Sequence, residues 1–279
     1  MIYPQQWTNR RPGILIPVFF LCLFPSKLSG QPTWQESAVA GLGGAYVARP
    51  GYFTARHNQA GLGWIEQHSV SLLHSKPFII KDLGVSALSA QLKVAEGVFG
   101  ATIASFGLTG LRHTSSWISY GMKLNPAISA GIGFHFWTWS IPEKRLHHPG
   151  ISFALGIQTR INQRWILGAH VYHPHSWTGG NTNVTGQPMV ISAGISCALF
   201  QKGLCYLEFH MKPRGRIEVS SGMEWIFNDR LGLLLGMHNG PFTLSAGVST
   251  NQNKWILHVA FQYLTDSGTI PQASLHHAW

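Results

Sequence analysis

The chain has 279 residues, room for one large domain or two small ones, and only 11% of them are charged, against about 25% in an ordinary soluble domain. Its net charge of +10 is scattered, with no basic run longer than Arg10-Arg11 or Lys144-Arg145. This argues against nucleic acid as a partner, because phosphate binding needs clustered cations. After the N-terminus no stretch offers eighteen unbroken apolar residues, which excludes a bundle of membrane helices.

In chain order, residues 1–30 read as a secretory signal: Arg10 and Arg11, then an apolar stretch at 14–24, then a plausible cleavage region at 25–30. Next, 31–66 is rich in Gly and Ala and lacks strand alternation. From His68 the pattern becomes short alternating runs separated by turn residues. Phe242, Leu244, Ala246 and Val248, for example, alternate with Thr243, Ser245, Gly247 and Ser249. One face is apolar and the other small or polar, as expected where one side meets lipid and the other a wet interior.

Fourteen such runs are predicted, at 67–76, 83–94, 97–107, 114–123, 127–138, 150–160, 164–173, 188–200, 203–211, 215–226, 230–238, 241–249, 254–264 and 269–279. The expected fold is an all-β transmembrane antiparallel β-barrel, spanning 67–279. Short turn-like links such as Asn125-Pro126 and Asn162-Gln163 alternate with longer ones, notably 139–149 and 174–187. Fourteen strands enclose more space than side chains fill, so 31–66 is expected to plug the lumen as a hatch. Leu275 and Trp279 end an alternating strand, an expected signal for the barrel assembly machinery.

Several constellations carry possible chemistry. Glu208 and His210 are expected to face inward beside Arg216 and Glu218, with Glu208 opposite Glu218 and His210 opposite Arg216. Paired carboxylates can mark an acid/base site, and a lumen ion network is the alternative. The histidines at 147–148, 173, 175 and 276–277 invite a metal, but adjacent strand residues point to opposite faces, so no metal is expected. Trp137, Trp139, His147 and His148 suit either an outer apolar mouth or an interfacial girdle, the latter with Trp117, Trp165 and Trp255. Cys197 and Cys205 flank a predicted tight turn and point outward, as a cross-strand disulfide or as two lipid-side thiols. Motifs for serine hydrolases, zinc proteases, phosphate loops and dinucleotides are absent from the sequence, so neither enzyme activity nor a cofactor is expected.

The segments 41–48 and 58–63 carry a resemblance. Gly43, Gly44 and Ala45 open Gly-Gly-Ala-x-Val-Ala, and Asn58, Gln59, Ala60, Gly61 and Leu62 form a second motif before the first strand. Together they resemble the long-chain fatty-acid transporter-like (FadL-like) outer-membrane family, within it the Bacteroidetes branch of PorV- and PorQ-like proteins. Residues 269–275 are similar to that branch too. The resemblance implies a bacterial outer-membrane location, a hatch inside a fourteen-stranded barrel, and passive entry of an apolar small molecule. Its secretion relatives imply an alternative, a non-enzymatic partner of secretion-machine or surface-attachment proteins.

Overall fold

A computed structural model describes residues 34–49, 55–108, 110–141, 146–179, 187–199, 202–213 and 216–279. The expected signal segment, 1–30, lies outside the described residues. Fourteen strands follow one another: β1 (Ser69–Ser75), β2 (Gly84–Val94), β3 (Gly97–Leu108), β4 (Leu111–Lys123), β5 (Ile128–Ile141), β6 (Leu146–Arg160) and β7 (Trp165–Thr178). Then come β8 (Val190–Leu199), β9 (Gly203–Lys212), β10 (Arg216–Asn228), β11 (Leu231–Asn239), β12 (Phe242–Gln252), β13 (Trp255–Leu264) and β14 (Gly268–Ala278). Each pairs antiparallel with its neighbour, and β1 pairs with β14, Ser71 facing His276 and Leu72 facing Leu275. The sheet is therefore a closed barrel, which leaves no open edge. No helix among the described residues is long and apolar enough to cross a membrane.

The alternation in the sequence becomes the two faces of the wall. Leu72 (55% exposed), Ile118, Phe134, Phe209 and Phe261 (54%) stand outward, while Ser71, Ser89, Ser115, Ser119, Thr243 and Ser245 are buried inside. A water-soluble domain does the reverse, so this apolar outer belt suits a lipid solvent. Cys197 and Cys205 face one another across β8 and β9 on the outer side as free thiols.

All fourteen expected strands form. At one end the turns repeat a single device, in which an asparagine oxygen accepts from the backbone two and three residues on. Asn125 receives Ala127 and Ile128, Asn162 receives Arg164 and Trp165, and Asn228 receives Arg230 and Leu231. The opposite end departs from expectation. The predicted loop 139–149 is mostly ladder, with Trp139 opposite His148 and Trp137 opposite Gly150, and β7 continues to Thr178. Cross-strand aromatic contacts favour this pairing, so these rings belong to the wall.

The described part of 34–66 contributes no strand. It has a short helix α1 (Ser37–Gly41) and a 3-10 helix (Gln59–Trp64), nearly all of it buried. It meets inward-facing residues on β3 to β6 at one side and on β11 to β14 at the other. Gly43 and Gly44 follow α1 with φ of 67° and 89°, a backbone that favours glycine. A Cβ on Gly43 would also lie 2.5 Å from the backbone nitrogen of Met237.

Candidate functional site

The 3-10 helix is seated by neutral hydrogen bonds, with the Arg160 guanidinium 3.9 Å over the Trp64 ring at its end. Asn58 caps it, its Oδ1 accepting from the Ala60 amide at 3.2 Å while its Nδ2 donates to Val47 O at 2.7 Å. Ser119 Oγ donates to Ala55 O and Ser129 Oγ to Ala60 O, each at 2.6 Å. Gln158 Nε2 donates to Val47 O at 2.8 Å. Gly121 and Gly131 present no side chain where Gln59's backbone arrives, and a Cβ on either would collide with it. Close approach is what glycine permits here.

Opposite, the contacts are made by carboxyl, imidazole and guanidinium groups. Glu208 Oε2 accepts the Tyr46 and Val47 amides at 2.7 and 2.9 Å. Glu36, just before α1, lies 3.2 Å from His258 Nδ1 and from His276 Nε2, and 3.9 Å from Arg49. Arg49 also approaches Glu224 at 3.8 Å. Burial pushes the Glu36 carboxyl up, but the bonds from His258 and His276 and the charges beside it hold it well below the usual carboxylate range. His57 is pushed down to about 3 by burial and then by the Arg56 charge.

The expected carboxylate pair does not form. β9 and β10 run to Lys212 and Arg216, so Glu218 faces His210 and Ser220 faces Glu208, two residues away from the expected register. Glu218 instead meets Lys212, and His238 Nε2 at 3.3 Å. His210 links Ser192 at 2.9 Å to Ser220 at 3.1 Å. Arg216 sits exposed at the strand end. His210 also lies 3.4 Å from Glu208, so these inward groups pair with neighbours other than the expected ones.

Trp117 also departs from expectation. It is 1% exposed and faces inward, whereas Trp165 and Trp255 (50% exposed) face outward as the girdle would. Its parity with Ser115 and Ser119 was the available signal. Trp117 stacks on His135 with centroids 3.9 Å apart and an interplanar angle of 6°, and on Tyr172 at 5.3 Å. His173 joins because β7 is irregular there: the register shifts opposite Ser152/Ala154 and His173 has φ of 52°. Both Tyr172 and His173 thus reach the cluster, as a bulge allows, and Trp137 packs on His135 and His173. The ring nitrogens of His135, His173 and Trp117 make no protein hydrogen bond. The result is a buried cluster of aromatic rings whose polar edges have no protein partner.

Leu275 faces outward opposite Leu72 and Leu257, and the Trp279 amide donates to His68 O at 3.0 Å. Among the described residues, Glu36, His258 and His276 form a group that could hold a metal.

A closed fourteen-stranded barrel with an internal N-terminal segment defines the class of fold. No family model and no curated protein matches the chain by sequence. Solved structures do match. The Pseudomonas putida toluene transporter TodX aligns with a TM-score of 0.68 at 11% identity, covering 91% of this chain and 98% of that one. The CymD monoaromatic hydrocarbon channel aligns with 0.66 at 14%, covering 88% and 97%. A Pseudomonas aeruginosa FadL homologue aligns with 0.63 at 10%, covering 87% and 98%. The chain shares their fold over nearly its whole described length.

Proposed function

We propose that this protein is an integral outer-membrane barrel through which a hydrophobic small molecule, aromatic in preference, enters passively. The observation that carries this reading is the buried cluster of Trp117, His135, Trp137, Tyr172 and His173, in a lumen otherwise lined largely by small and polar residues. The likeness to hydrocarbon channels supports it. The solute's gradient drives entry and no chemical step is involved. The described part of 31–66 acts as a hatch: the solute rests on the ring cluster and passes when the segment shifts. The apolar belt contacts outer-membrane lipid, and the exposed ends of Leu275 and Trp279 meet the assembly machinery. The motifs at 43–48 and 58–62 support the PorV/PorQ-like branch.

The test is uptake of a labelled monoaromatic hydrocarbon into vesicles whose outer leaflet is lipopolysaccharide, which slows unaided entry. The protein should raise the rate, and a neutral sugar of similar mass should gain little. Trp117→Ala should weaken retention about fivefold, since a ring contact of this kind is worth about 1 kcal/mol. Equal uptake with and without protein contradicts the reading, and secretion proteins that co-purify would then favour a machine component.

A further inference from the structure

Three side chains far apart in sequence converge inside the barrel wall. His258 is buried on β13 and His276 on β14, and Glu36 precedes α1 with none of its surface exposed. One oxygen, Glu36 Oε1, lies 3.2 Å from His258 Nδ1 and 3.2 Å from His276 Nε2, and all three ligand atoms fall within 4.8 Å of one another. Metal–ligand bonds of about 2.0–2.1 Å at tetrahedral angles put neighbouring ligand atoms about 3.4 Å apart. The two measured separations are close to that edge.

The surroundings fit the same chemistry. Ser71 Oγ lies 2.8 Å from His276 Nδ1, the outer partner that fixes a ligating ring and leaves its other nitrogen for the metal. Ser274 Oγ, 3.1 Å from His276 Nε2, is the contact that a metal on that nitrogen would displace. Glu36 Oε2 makes no hydrogen bond and faces Arg49 at 3.9 Å, while Arg49 also leans on Glu224. A divalent cation there would be held by one carboxylate oxygen and two imidazole nitrogens.

We propose that Glu36 Oε1, His258 Nδ1 and His276 Nε2 bind a divalent first-row transition metal of the zinc class, tying the N-terminal segment to β13 and β14. A His2Glu set of nitrogen and oxygen donors suits zinc and its neighbours and disfavours magnesium or calcium, which take oxygen. The site is independent of the solute, so it stands or falls apart from the transport reading.

The experiment uses the full untagged barrel in detergent, stripped with chelator and titrated with Zn2+ alone. The expected result is one tightly held equivalent that raises the temperature at which the heat-dependent gel shift occurs, as ligand linkage requires. Glu36→Gln and the double variant His258→Asn/His276→Asn should each weaken binding at least about tenfold, whereas His277→Gln, on the outer face, should not. Failure of the wild type to retain zinc overturns the proposal, as does unchanged stoichiometry in the double variant, which would assign the zinc to surface histidines such as His147 and His148. If the variants do not fold, Co2+ added to the wild type decides. Intense visible bands of a low-coordinate histidine–carboxylate site support the proposal, and the weak spectrum of hydrated cobalt overturns it.

Discussion

The two halves of the lumen wall hold the same N-terminal segment by different means. From β3 to β7 the wall recedes: Gly121 and Gly131 admit the backbone of Gln59, and Ser119, Ser129 and Gln158 donate to the carbonyls of Ala55, Ala60 and Val47. From β9 to β14 the wall reaches in with charge, through Glu208, Glu224, His258 and His276. A seat made by shape resists changes of pH and salt but tolerates no added atom. A seat made by ions tolerates small changes of shape and follows the protonation of its groups. The comparison thus predicts opposite sensitivities for the two sides.

The largest effect is expected on the shape side. Gly131→Val places two methyl groups against the Gln59 backbone, which cannot swing aside as a side chain does. Overpacking of this kind costs about 3 kcal/mol. Trypsin should then cut the folded barrel after Arg56, a bond expected to be protected in the wild type, while the heat-dependent gel shift persists. Continued resistance would mean that the segment is not held by this wall.

A smaller effect is expected across the lumen. Glu208→Ala removes the acceptor of the Tyr46 and Val47 amides, a loss of about 2 kcal/mol for two hydrogen bonds at about 1 kcal/mol each. Hydrogen exchange at those amides should accelerate roughly 30-fold, the equivalent of that energy, with little change at Ala60. Equal acceleration at both places would show one cooperative unit and erase the distinction.

The smallest effect is the pH response of His57. Its proton affinity in the seated segment corresponds to about 3, against 6.5 for the free imidazole, so the seated form holds fewer protons between those values. The stability it contributes is complete above about pH 6.5 and drains away as pH falls toward 3. Tryptic protection at Arg56, taken relative to an unfolded reference peptide at each pH, should accordingly be greater at pH 7.5 than at pH 5.5. His57→Gln should flatten that difference, and an undiminished slope in the variant would move the effect to other groups.

How much of this was legible in the sequence follows from the range of each interaction. A period of two is local, so all fourteen strands and the inward serines could be read, and Trp117 shared the parity of Ser115 and Ser119. The β9–β10 register depended on how many of Lys212, Pro213, Arg214 and Gly215 form the turn, and pairing through Lys212 and Arg216 moved Glu218 from Glu208 to His210. His173 joins the ring cluster only through a bulge, which inserts residues that alternation cannot count. Glu36 meets His258 across 222 positions of sequence. Nothing local marks such a pair, and the neighbouring His276 and His277, which did attract attention, point to opposite faces.

If the proposed hatch is right, the described part of residues 31–66 governs passage through the lumen. Conductance in a planar lipid bilayer tests it most directly, comparing the whole mature barrel with one lacking residues 34–66. The account predicts a wild type that is closed or only briefly conducting, and a deletion that still inserts and gives a large, steady conductance. A wild type already open like a wide pore, or a deletion that inserts and stays closed, would contradict it.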